Sequence, residues 1–163
     1  MNADAFRHFY DYHFAENRKV WSGVTSLSFE QYTKNVNYSH GSVRDQIVHL
    51  IDAEDVWFSE LRDAQPSEPL PPADSDDRET IRAHWDRVEQ NMRAYLAQLR
   101  DERLFDKPIK EPEDDKDLIV WQVLLHVANH ATDHRAQLLR VLHDLGVETT
   151  YQDYIFYVYG HSL

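Results

Sequence analysis

The sequence predicts an all-α protein, a four-helix bundle. Four long segments carry apolar residues at three- and four-residue steps, no stretch alternates convincingly as a strand would, and the connections are of moderate length. At 163 residues the chain is expected to form one domain, residues 1–163. A 42% hydrophobic fraction supplies a core that needs no disulfide staple.

The first segment, residues 3–21, places Phe6, Phe9, Tyr10, His13, Phe14 and Val20 on one stripe, and Gly23 is expected to end it. Such an aromatic stripe is read as core packing, and His8 and His13 as polar rim or satisfied core positions. Residues 28–36 predict a short helical turn with Phe29 and Tyr32 facing inwards. After the break Tyr38-Ser39-His40-Gly41-Ser42, Ser42 serves as N-cap for a helix over residues 43–62, through Val43, Ile47, Leu50, Ile51, Phe58 and Leu61. His49 flanks that stripe one turn before the small Ala53. Glu54 lies inside the stripe, an unusual place for a charge.

Residues 66–77, proline-rich and then acidic, form a long loop. It is not a domain linker, because neither flank carries enough apolar helix for its own core. Ser75 or Asp76 is expected to open the third long helix, which runs to about residue 100 through Ile81, Trp85, Val88, Met92, Tyr95, Leu96 and Leu99. His84, His143 and His161 read as exposed. Residues 104–116 form a second loop, whose acidic run lacks the glycine and spacing of a calcium loop. The fourth long helix occupies residues 117–146, with Asp117 as N-cap and Gly146 just past its end, and a tyrosine-rich tail follows.

Charge and composition exclude several functions. A formal net charge of −12 does not suit a nucleic-acid binder, which needs a basic stripe. There is no cysteine, so any metal site is built from nitrogen and oxygen. No basic-then-apolar leader and no apolar run of membrane-spanning length is visible, and a cytoplasmic location with no membrane partner is expected.

The last long segment carries the chemistry. His126, His130 and His134 recur at four-residue steps, about 6 Å of rise apart. Metal–nitrogen bonds are only about 2.0–2.1 Å long, so two neighbours can share one ion but all three cannot. On a helical wheel His130 and His134 fall about 40° and 80° from His126, inside the apolar stripe. His126 lies at the rim and suits a pocket wall, where it would contact a bound cofactor. His49 is the best-placed third ligand, since bundle cores build metal sites from facing helices. Glutamate is absent after His126 and His130, which excludes the zincin pattern. Core histidines satisfied by hydrogen bonds, with no ion, are the competing explanation.

The run LLHVANHATDHRAQLLRVLHDLG, preceded by SVRDQIVHLIDAEDVWF and followed by DYIFYVYG, resembles the DinB/YfiT-like family of four-helix metalloproteins. The resemblance covers residues 6–159, with Ala136 where the family often has glycine. It implies an up-down-down-up bundle, often a homodimer, with ligands at His49, His130 and His134 for zinc, nickel or another divalent ion. Trp121, Leu125 and Leu139, on the far side of the helix, are a candidate dimer seam. The resemblance further implies a small-molecule substrate and a low-molecular-weight thiol as co-substrate of a thiol-dependent S-transferase. A metal-dependent hydrolase, or a non-enzymatic metal-binding stress-response protein, are the alternatives. No general base is evident beside the ligands, so the catalytic residues stay unassigned.

Overall fold

The computed structural model describes residues 1–70 and 76–160. Its regular elements are α1 (Ala3–Thr25), α2 (Phe29–Thr33), α3 (Val43–Leu61), α4 (Arg78–Gln98), α5 (Val120–Asp144) and α6 (Tyr154–Gly160), with a 3-10 turn over Asp101–Phe105. The protein is all-α, and no strand occurs among the described residues. Ser75, Pro71, Pro72 and His161 lie outside them.

Local chemistry sets most helix boundaries. Ser28 and Ser42 each head a capping box, closed by Gln31 and Asp45 respectively. Gly146 takes φ +85°, the left-handed conformation that glycine adopts without strain, and its N–H bonds back to the His143 carbonyl. Asp77, rather than Ser75 or Asp76, caps α4, through the N–H groups of Glu79 and Thr80. The fourth long helix begins at Val120 and not at Asp117. Asp117 pairs with Lys107, while the Gln122 side chain accepts from the Ile119 N–H and does the capping.

Gly23 does not end α1. The helix runs on to Thr25, and a Cβ on Gly23 would stand 3.2 Å from Leu142 Cδ1. Its role is to let α5 approach. Two further expectations, for Phe29 and His84, are corrected, and the tail gains a structure. Phe29 is 61% exposed, because its helix is a single short turn with only Tyr32 buried. The tyrosine-rich tail forms a helix, α6, whose Tyr154 packs against Phe9 and Tyr12. His84 is buried, since Trp85 faces the interior and turns its neighbour toward Asp52 and Asp55 of α3; its Nδ1 accepts from Arg87.

The buried apolar side chains of the long helices and their connections form one cluster. Neighbouring long helices are α1 with α4 and α5, and α3 with α4 and α5. Arg7 Nη1 donates to the carbonyls of Leu96 and Leu99 at the end of α4, and Trp21 meets Trp85 edge-on. Tyr10 donates to the Leu124 carbonyl of α5 at 2.8 Å. Phe58 of α3 meets Tyr95 of α4, and Trp57 meets His126 of α5.

A polar line runs through this core. Glu54, 1% exposed, accepts from Trp85 Nε1 at 2.9 Å, Asn17 Nδ2 at 3.0 Å and His13 Nε2 at 3.0 Å. Arg135, fully buried, donates to His13 Nδ1 at 3.1 Å and Asn17 Oδ1 at 2.8 Å. Arginine is always a donor, so His13 Nδ1 accepts and its proton sits on Nε2, facing Glu54. Burial holds His13 below its ordinary pKa against the pull of Glu54. Burial pushes the Glu54 carboxyl upward, but the histidine, tryptophan and asparagine donors outweigh it and leave the pKa lowered. One carboxylate and one guanidinium, bridged by a neutral imidazole, thus cancel inside the core.

Removing one end strands the other. Arg135→Met is expected to cost about 3–5 kcal/mol in urea unfolding, as for a broken buried pair. Combined with Glu54→Leu, the loss is expected to fall short of the sum of the single losses by about 1–3 kcal/mol. Additive losses would show that the two ends are independent.

Candidate metal centre

The groove between α3 and α5 collects the histidines. His49 comes from α3, where Ser42 starts the helix and buried Ile47 and Leu50 set its rotation. His126, His130 and His134 rise along one face of α5, whose rotation is fixed by buried Val127, Ala131 and Leu138. The His49 ring centroid lies 4.6 Å from that of His134 and 5.3 Å from that of His130, and His130 and His134 are 4.3 Å apart. The two helices therefore do bring these three imidazoles together.

His126 stands one step out. Its centroid is 5.8 Å from His130, and Trp57 packs edge-on to it at 4.9 Å. It is exposed and shares a shallow depression with Trp121, Leu125 and Asn129.

A fourth imidazole enters from the chain before α3. His40 stacks on His49 with centroids 3.7 Å apart and planes 17° from parallel, and lies 5.2 Å from His134. Donor atoms of His40, His49 and His134 all fall within 4.8 Å of one another, which makes a group able to hold one metal ion. Periodicity could not point to His40, because it belongs to no helix. The available signal was its place in the tight break just ahead of the Ser42 cap.

The electrostatics favour neutral nitrogen donors. Burial, and then the neighbouring His40, His134 and His130, bring the His49 pKa down to about 4. Burial likewise lowers His130, with His134 and His126 adding to it, and lowers His134, with His40 adding to it. Each ring is thus unprotonated at neutral pH and keeps a lone pair. His134 Nδ1 is buried and has no hydrogen-bond partner among the described residues. An unpaired buried polar atom costs about 1–3 kcal/mol, and a cation is one group that would satisfy it. An all-nitrogen donor set suits zinc, nickel, copper and iron, so the residues present fit a divalent ion.

The family model described as the DinB family matches residues 1–161. The chain belongs to the DinB family. Among curated proteins, none matches the chain. No helix among the described residues is long and apolar enough to cross a membrane.

The lowered histidine pKa values fix the acid response of the metal-free protein. Between pH 6.5 and about 4 the unfolded chain takes up protons that folded His49 refuses. Stability is therefore expected to be flat above pH 6.5 and to fall below it. The melting temperature of chelator-treated protein across this range checks it, and His49→Ala should flatten the slope. A slope unchanged by that substitution would contradict the His49 environment described.

Proposed function

We propose that the protein is a metal-dependent enzyme that transfers a low-molecular-weight thiol to a small electrophilic substrate, with a divalent ion held by His49, His130 and His134. The observation that carries the proposal is the convergence of neutral imidazoles from α3 and α5 around His134 Nδ1, which has no hydrogen-bond partner among the described residues. Membership of the DinB family supports it.

In this proposal the frame is an up-down-down-up four-helix bundle forming a single domain over residues 1–163. Residue pairings support that order. Arg7 meets Leu96 and Trp21 meets Trp85, as in antiparallel helices, whereas Glu54 with Trp85 and Phe58 with Tyr95 advance together, as in parallel ones. Tyr10 with Leu124 and Gly23 with Leu142 likewise advance together.

His49, His130 and His134 would hold the ion, zinc or nickel being the best matches to three imidazoles and an open position. Such an ion is a Lewis acid that lowers the pKa of a thiol, so that a nucleophile exists at neutral pH. The protein's own groups do the rest. His126 and Trp57 would form the wall along which the thiol or its electrophile lies. Arg135 and Glu54, behind the ligands, keep α3 and α5 at a fixed separation through His13 and Asn17. Low-molecular-weight thiols stay reduced in the cytoplasm, which is where we place the protein. The proposal includes a homodimer, for which exposed Leu125 beside Trp121 is the supporting surface.

Protein purified without an affinity tag is expected to bind about one ion per chain. His130→Ala should lose that ion while keeping its helical circular dichroism. The loaded protein should consume a thiol and an electrophile together, and metal removal should abolish turnover. Full loading without turnover of any cellular thiol would overturn the transferase and leave the ion a structural role. Unchanged metal content in His130→Ala would remove His130 from the site.

A further inference from the structure

His40 is the one imidazole of the cluster that no long helix presents. It sits in the segment between α2 and α3, and the way that segment is held carries the inference. Asn37 and Ser39 take φ +50° and +53°, and Gly41 takes φ +93°. Three left-handed positions within five residues fold the segment tightly back on itself. Asparagine and glycine tolerate that conformation and serine tolerates it less well, so something must compensate.

The compensation comes from hydrogen bonds on both sides of His40. Ser39 Oγ donates to Gln137 Oε1 of α5, one turn beyond His134. Gln137 is itself anchored, its Nε2 donating to Asp133 Oδ2 at 3.0 Å. The Asn37 N–H reaches Asn35 Oδ1 at 2.8 Å, and the Gly41 N–H reaches the Tyr38 carbonyl at 3.0 Å. On the other flank, Ser42 is pinned by its capping box with Asp45. A histidine between two such anchors is aimed, even though it is exposed to solvent. Its aim is the groove: its ring stacks on His49 at 3.7 Å and faces His134 at 5.2 Å.

We propose that His40 is a fourth imidazole ligand of the metal centre, carried on a loop that straps α3 to α5 and closes the ion's outward side. This inference rests on the metal site proposed above and adds a donor to it. The donor atoms of His40, His49 and His134 are mutually within 4.8 Å, a group that His130 is not part of, although its ring lies 4.3 Å from that of His134; the loop histidine is therefore as well placed for one ion as His49 and His134. The three helical ligands are fixed by core packing, whereas His40 hangs from a Ser39–Gln137 hydrogen bond. With an ion bound, His40 would be the one donor supplied by a loop and not by a packed helix.

The test uses cobalt(II) as the probe on the full, untagged chain, because its visible spectrum reports coordination number and donor type. His40→Ala removes donor and ring; His40→Phe keeps a stacking ring but no donor. Both changes are on an exposed loop, and an unchanged melting temperature of the metal-free protein confirms that folding is intact. Expected for both variants is about one cobalt per chain with affinity weakened by at least about 10- to 100-fold, the loss typical when a group that merely supports a metal ligand is removed. The spectrum should also lose intensity, as water replaces an imidazole. Wild-type affinity and spectrum in both variants would overturn the assignment while leaving the three helical ligands intact. Normal binding in His40→Phe with loss only in His40→Ala would overturn it too, making His40 a stacking residue. No cobalt binding by the wild type would overturn this inference together with the metal site on which it rests.

Discussion

Four buried polar side chains, one from each long helix, set the geometry on which the rest depends. Arg135 of α5 contacts His13 of α1, His13 contacts Glu54 of α3, and Glu54 contacts Trp85 of α4. Apolar side chains can slide past one another at small cost, but a buried carboxylate and guanidinium cannot leave their partners without a penalty of several kcal/mol. The line therefore fixes helix rotation and register together. Arg135 directly follows His134, and Glu54 lies about one turn beyond His49, so locking the first pair also places the second. The imidazole groove is the solvent-side consequence of a core interaction.

That arrangement explains why the groove suits a cation although the rings themselves carry no charge. Burial and mutual proximity keep His49, His130 and His134 below their ordinary pKa values, so lone pairs are available at neutral pH. A formal net charge of −12 over the whole chain adds a field that attracts cations in general. Selection among them is left to the donor set, which is nitrogen throughout in a chain without cysteine.

Much of the protein was legible in the sequence because one period governs it. The 3.6-residue repeat located the long helices, placed His130 and His134 toward the core and singled out His49 across the groove. It did not reach what lies between helices. His40 is positioned by left-handed turns and a serine–glutamine hydrogen bond, and neither leaves a periodic trace. Helix ends failed where two side chains competed for one task, as when Gln122 capped α5 and Asp117 went to Lys107. Gly23 looked like a stop because a missing Cβ marks both helix ends and close approaches; only the Leu142 contact tells them apart. Glu54 was visible as an anomaly within an apolar stripe. Its partners Trp85 and Asn17, 31 and 37 residues away in the chain, and His13 on the first helix were not.

The central claim is that one divalent ion is gripped by imidazoles from both α3 and α5. Anomalous diffraction at the metal edge, from crystals grown with one equivalent of zinc or nickel, addresses it directly. The account predicts a single dominant peak between His49, His130 and His134, on the side that His40 faces. A groove without a peak, with the metal scattered instead over acidic surface such as residues 111–115, would contradict it.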